Sequence, residues 1–304
     1  MVIIHIFAEL KPQKYIMLHP LAGVCIISAI TSSDKVVKNI KNLATTYDIY
    51  RRPKHHTGRN GVLLKVLING KEHALKCYKQ PFERGEALCA YIQTHPSDRL
   101  PSPTFYPQEL LVPTIKDVEW ADVCTYSWVD GYSLDMEIKR CVYNRDIDAL
   151  IRLAEEFKAL SLDILNSPWR HGDLKTENVM VTPEGKMQLV DIDALWAPTI
   201  PPCKEIGTPN FTHPMRGTNR DEHIDDYPIA LILANLHFLT LSDSPDIIIK
   251  GLHFTASEAL DKQPPYQQAV EVLAHNKALA ELCRALADPT TYKIPNLKEI
   301  LNNV

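Results

Sequence analysis

Glycine is scarce in this chain, with 11 among 304 residues. No internal repeat or low-complexity segment is visible. No C-x-x-C pair occurs either. The seven cysteines, at positions 25, 77, 89, 124, 141, 203 and 283, are odd in number and scattered. That pattern argues against a zinc site or a disulfide frame and fits reduced thiols in a cytoplasmic setting. Basic charge is not in excess. The net charge of −4 and a pI near 6.3 give no general field for nucleic acid or anionic lipid, so neither partner is expected. A long apolar run is also missing. Residues 16–30 (IMLHPLAGVCIISAI) are apolar but interrupted by His19, Pro20 and Gly23. A span needs about 20 apolar residues, so no membrane span is expected. A secretory signal is weakly supported, because Lys11 and Lys14 are the only cations ahead of the run. Residues 1–45 thus read as an extension, either a packed strand or helix or a start codon placed too early.

Against these absences stands one dense motif, His171-Gly172-Asp173-Leu174-Lys175-Thr176-Glu177-Asn178. It is followed by a strand, a turn at Thr182-Pro183-Glu184-Gly185, a second strand and Asp191-Ile192-Asp193. Asp191 lies thirteen residues after Asn178. The turn folds the two strands back on each other and gathers Asp173, Asn178 and Asp191. One carboxylate to orient a hydroxyl, and two oxygen ligands for Mg²⁺, are what phosphoryl transfer requires at a single point. Asp146–Leu165 precedes the motif, with apolar residues at 147, 150, 151, 153, 157 and 160, the spacing of an amphipathic helix.

H-x-D-x-K-x-x-N with a later Asp resembles the catalytic loop and metal-binding Asp of the protein-kinase-like superfamily. Other segments follow in the same order, over about residues 47–304. Val62–Ile68, the hairpin signal Asn69-Gly70 and His73–Tyr78 read as paired strands. Ala74-Leu75-Lys76 resembles the A-x-K of the third kinase strand, which implies Ala74 on the adenine and Lys76 on the α- and β-phosphates. A helix over Phe82–Gln93 would then supply Glu86 as the partner of Lys76, with Glu83 the alternative. Gly58-Arg59-Asn60-Gly61 stands where a fuller glycine loop is usual. Val62 would join Gly58, Gly61, Ala74 and Lys76 around the nucleotide. Val123–Leu134 resembles the fifth strand and hinge, with Ser133 as a helix cap and adenine held by backbone around Ser127 and Val129. Gly207-Thr208 resembles the segment whose Thr touches the catalytic Asp and lysine. Asp225 resembles the Asp that opens the buried helix under the catalytic loop.

The resemblance implies an α+β, two-lobed kinase-like fold of divergent bacterial Ser/Thr kinase type. A small antiparallel β-rich lobe would cover 46–127, and a mainly helical lobe would cover 128–304 with the hinge. The expected activity is transfer of the ATP γ-phosphate to a hydroxyl of a protein or small molecule. Asp173 would act as base, Lys175 would neutralise the γ-phosphate, and Asn178 and Asp191 would hold Mg²⁺. The departures matter. Gly172 replaces the usual arginine, so no activation through phosphate on Thr199, Thr208 or Thr212 is expected. Asp191-Ile192-Asp193 lacks the Phe and Gly of D-F-G, and Asp193 is either a second ligand or a cap. Met215, and Tyr292 or Lys293, stand where a Glu–Arg pair is usual, so both halves are absent together. Two alternatives remain: a pseudokinase that binds nucleotide or a partner, and a small-molecule kinase, which His171-Gly172-Asp173 also suits.

Overall fold

The computed structural model describes residues 21–33, 35–114, 117–242 and 250–304. It is α+β, as the sequence implies. The chain divides into two compact units. One comprises the described residues up to Glu83 with Thr104–Tyr126, and the other Arg84–Pro103 with Ser127–Val304. No helix among the described residues is long and apolar enough to cross a membrane.

The first unit begins with helix α1 (Gly23–Thr31), where the sequence left strand and helix open. Residues 1–20 lie outside the described residues. The strands β1 (Leu43–Thr45), β2 (His55–Thr57), β3 (Gly61–Ile68), β4 (Lys71–Tyr78), β5 (Pro103–Pro113) and β6 (Val118–Ser127) form one sheet. Its order is β1-β3-β4-β6-β5, with β2 also on β3. The β3–β4 turn is Asn69-Gly70, both at positive φ (52° and 80°), as a tight two-residue hairpin demands. Side chains alternate across β3. Val62, Leu64 and Val66 enter a core with Leu75 and Cys77 of β4 and with Ile26 and Ile30, one turn apart on α1. Each such side chain contributes roughly 1.5–3 kcal/mol on burial. Residues 21–45 therefore pack into this unit and do not stand apart from it. Glu109 on β5 is fully buried, and its carboxylate accepts from the N–H groups of Asn39 and Ile40, each at 2.7 Å. A buried charge so satisfied ties the approach to β1 onto the sheet.

The second unit opens with α2 (Gly85–Thr94), three residues later than the sequence suggests. Then come β7 (Tyr132–Ser133), α3 (Leu134–Asn144) and α4 (Ile147–Asn166). Ser133 caps α3 by accepting from the Met136 N–H, as expected, and Asp146 caps α4 through Ala149. The buried stripe of α4 runs Leu150, Leu153, Phe157, Leu160, Ile164 at helical spacing. Strands β8 (Val179–Val181) and β9 (Met187–Leu189) form the hairpin read from the sequence, and β7 joins it as a third strand. Gly131 precedes β7 at φ 130°, where a Cβ would collide with the Val181 carbonyl. Helix α5 (Asp226–Leu241) is apolar on all sides and buried along nearly its whole length. Helices α6 (Ala256–Leu260), α7 (Pro264–Leu273), α8 (Lys277–Leu286) and α9 (Leu297–Asn302) complete the unit.

Candidate active site

The loop from His171 to Asn178 is fixed from beneath. The Asp225 carboxylate, fully buried just before α5, accepts the backbone N–H of His171 and that of Gly172, the latter at 2.9 Å. Charge-assisted bonds of this kind are about twice as strong as neutral ones. His171 fastens the other side. Its Nδ1 accepts from the Asp173 N–H at 3.3 Å, so Nε2 carries the hydrogen donated to the Val190 carbonyl at 2.9 Å. Val190 in turn donates its N–H to the Asn178 carbonyl. The β8–β9 hairpin is held by Arg99. Its guanidinium binds Glu156 and Asp163 of α4 at 2.7 Å each and the Met187 carbonyl at 2.9 Å.

On this frame Asp173 is buried, with both carboxylate oxygens engaged. Lys175 Nζ donates to Oδ2 at 3.0 Å, and Thr208 Oγ1 donates to Oδ1 at 2.9 Å. Lys175 also reaches Thr208 Oγ1 at 3.3 Å. Burial alone would drive protons off Lys175. The charge and hydrogen bond of Asp173, aided by Asp191 and Glu177, outweigh it and hold the ammonium above its ordinary range. Asn178 closes the loop by donating Nδ2 to the Asp173 carbonyl at 2.9 Å. Its Oδ1 accepts nothing from the described residues. Asp191 is exposed at the end of β9, in a left-handed conformation (φ 58°) that Asp tolerates better than most residues. Asp193 is buried in the short turn Ile192–Ala194.

Asp173, Lys175 and Asn178 thus lie in one constellation, and Asp191 is close enough for its charge to act on Lys175. Asn178 Oδ1 and the Asp191 carboxylate are hard oxygen donors that fit Mg²⁺, which is commonly held by one or two carboxylates plus substrate phosphates. No preformed group of three or more His, Cys, Asp or Glu that could hold a metal ion occurs among the described residues. Thr208 is in contact with both Asp173 and Lys175, the contact that the resemblance implies. Met215 is 55% exposed, and Tyr292 and Lys293 both bind Asp221, so the missing Glu–Arg pair leaves no buried charge behind.

In the first unit the expected nucleotide residues separate. Ala74 and Lys76 share one face of β4, and the register sets Leu63 opposite Lys76 and Lys65 opposite Ala74. Val62 pairs with Cys77 on the other face and is fully buried in the core. Val62 is therefore a packing residue and not a nucleotide contact; Leu63 shares the face of Lys76. The signal was Lys65, whose parity marks the polar face of an otherwise continuous apolar strand. Gly58 and Gly61 close the β2–β3 hairpin, with the Gly58 N–H on the Gly61 carbonyl at 2.9 Å. A Cβ on Gly61 would sit 2.6 Å from the Cys77 carbonyl, so its glycine is required by the neighbouring strand. Glu86 is exposed in the first turn of α2, in the second unit. Ser127 is exposed at the end of β6, and Val129 is half-buried.

Sequence reasoning missed Arg216. It is 2% exposed and donates to the Gly172 carbonyl at 2.6 Å. No family model matches the chain, and no curated protein matches it.

Proposed function

We propose that the chain is an ATP-dependent phosphotransferase of protein-kinase-like type. The β-rich first unit would correspond to the small lobe and the helical second unit to the large one. One observation carries the reading. Asp173 is held between Lys175 and Thr208, on a loop whose backbone is pinned by Asp225, with Asn178 turned back onto the same residue. A carboxylate so fixed has lone pairs left to accept the hydrogen of an acceptor hydroxyl. The hydroxyl oxygen bonds to the γ-phosphorus, the bond from phosphorus to the ADP oxygen breaks, and the hydroxyl proton passes to Asp173. Lys175, kept cationic by its neighbours, balances charge on the transferring group. Asn178 Oδ1 and Asp191 would hold Mg²⁺, which supplies charge neutralisation on the phosphates. Lys76 is the first unit's candidate for phosphate contact. Positioning and charge supply most of the rate in such a reaction. The acceptor is a hydroxyl on a protein or a small molecule.

A second reading, nucleotide or partner binding without transfer, draws on the Gly58–Gly61 turn. Its Gly58 amide is already spent inside the turn, and Gly61 serves the sheet. The experiment is transfer from γ-labelled ATP with Mg²⁺ and a generic protein acceptor. Wild type is expected to transfer, and Asp173→Asn is expected to lower the rate about 10²–10⁴-fold with its fold intact. Full activity in Asp173→Asn would overturn the role of Asp173. A stabilisation of about 2.7 kcal/mol by Mg-ATP at 100 times its Kd, without transfer to any acceptor or to the protein itself, would favour the second reading.

A further inference from the structure

Single exposed apolar side chains are ordinary in a folded protein. The loop between β1 and β2 carries three within four residues, Tyr47, Ile49 and Tyr50. Ile49 is 89% exposed and Tyr50 71%. The loop that presents them is tightly bonded. β1 pairs with β3 at Val66–Ile68 and β2 at Val62–Leu64, so the chain leaves the sheet between them. At the base the Thr46 N–H meets the Lys65 carbonyl, and the Lys65 N–H meets the Lys54 carbonyl. The Lys54 N–H returns to the Thr46 carbonyl. Farther out, Asp48 donates its N–H to the Arg52 carbonyl and accepts the Arg51 N–H on its own carbonyl. Its Oδ1 accepts from the N–H groups of Tyr50 (2.8 Å) and Arg52 (2.9 Å). Arg51, at φ 59°, reverses the chain. Ile49 and Tyr50 are thereby fixed at the apex. Backbone groups bonded inside a loop can enter a less polar layer without losing their partners.

The flank of the loop is cationic. Arg51, Arg52 and Lys54 are all exposed. Arg52 pairs with Asp48 of the same loop, at 2.9 Å; Arg51 and Lys54 pair with no described carboxylate. Three cations against one carboxylate leave +2 over residues 47–54, in a chain of net charge −4. Lys65, beneath the base, is already neutralised by Glu72 at 2.7 Å. The Debye length is about 8 Å in physiological salt, so a surface touching the apex meets the loop's own charges first. The absence of a general basic field is therefore compatible with a local one. Ile49 offers neither a ring to stack on a base nor a polar atom. Tyr50 has the Arg52 guanidinium 5.0 Å from its ring centre. An aliphatic apex between tyrosines, backed by cations, matches the layers of a bilayer surface, where anionic headgroups overlie the acyl boundary. We propose that residues 47–54 anchor the chain peripherally on an anionic lipid surface. Ile49 and Tyr50 enter the headgroup–acyl boundary, and Arg51, Arg52 and Lys54 meet the lipid anions. The contact lies wholly in the first unit, is not a span, and does not rest on the phosphotransfer reading.

The test uses the full chain without ATP. It is sedimented with vesicles of phosphatidylcholine and phosphatidylserine in equal parts, and with vesicles of phosphatidylcholine alone. Saturable binding is expected to the first and not to the second, and it should weaken as sodium chloride is added. Each exposed cation near an anionic surface is worth about fivefold in binding. The double variant Arg51→Gln, Lys54→Gln is expected to bind at least tenfold more weakly, and Ile49→Ser at least fivefold. Both variants should keep the wild-type Tm, because these side chains are exposed. No binding to the anionic vesicles, or equal binding to the neutral ones, overturns the proposal. Ile49→Ser binding as tightly as wild type while the double variant is weakened also overturns it, and assigns the loop to a soluble polyanion, with heparin as the probe. A double variant that binds as tightly as wild type overturns it too. Should one variant fail to fold, the other and the lipid comparison decide.

Discussion

Gly172 has two neighbours of opposite charge. Its N–H meets Asp225, and its carbonyl meets Arg216. On the carboxylate side the partners are complete: Asp225 accepts two N–H groups, and each oxygen of Asp173 has a donor. On the guanidinium side donors outnumber acceptors, and Arg84 Nε, Arg216 Nε, and Arg220 Nε and Nη2 are buried without a hydrogen-bond partner. Asp225, Asp173, Arg84 and Arg216 are all buried, so burial does not distinguish the two sides. Completeness does. A saturated polar network fixes a geometry in advance, whereas an unsaturated one leaves room in the hydrogen-bond pattern for a further group.

The largest effect expected from breaking the complete side is that of Asp225→Ala. Two backbone donors would lose a charged acceptor, a loss of about 3–6 kcal/mol at about 1.5–3 kcal/mol each. Denaturant unfolding measures it, and a change under about 1 kcal/mol would show the loop to be held by other means. Thr208→Val is next. It removes one donor to Asp173 while keeping the shape, so a loss of about 1 kcal/mol is expected, with slower transfer because Asp173 is less firmly aimed. Unchanged stability and rate in that variant would remove Thr208 from the constellation. The smallest effect belongs to the turn that carries Arg216. Buried His213 accepts from the Met215 N–H through Nδ1 and bonds the Asp288 carbonyl through Nε2. Burial lowers its affinity for a proton below the ordinary 6.5, with Asp288 opposing weakly. Its contribution is therefore whole above pH 6.5 and is lost as pH falls below that value. Denaturation midpoints at about pH 5 and about pH 7.5 should differ more in wild type than in His213→Gln, and an identical pH slope in the two would count against this account.

Much of the complete side was legible because its signals are local. His171 to Asn178 is one run, the β8–β9 turn is marked by Gly185, and caps such as Ser133 sit beside the helices they start. Asp225 and Thr208 could be placed only through resemblance. The incomplete side carries no local signal. Arg84 and Arg216 are far apart in the chain, and a single arginine in a sequence says nothing of what it meets after folding. Val62 failed for another reason. β3 is apolar nearly throughout, and an error of one residue in a strand exchanges its two faces. Only Lys65 broke the uniformity. The partition of α2 into the second unit also had no mark in composition, since it depends on contacts such as those of Arg84 with the Asp193 and Leu195 carbonyls.

The packing of Gly172 on Ala194 has a historical consequence. The backbone there sits at φ 82°, and any Cβ would strike the Ala194 carbonyl. No single codon change can place a side chain at 172 without moving the segment that Arg84 grips. An arginine at 172 would meet the same Ala194 carbonyl that any other side chain would. The position is thus closed to side chains for as long as the Ala194 carbonyl keeps its place.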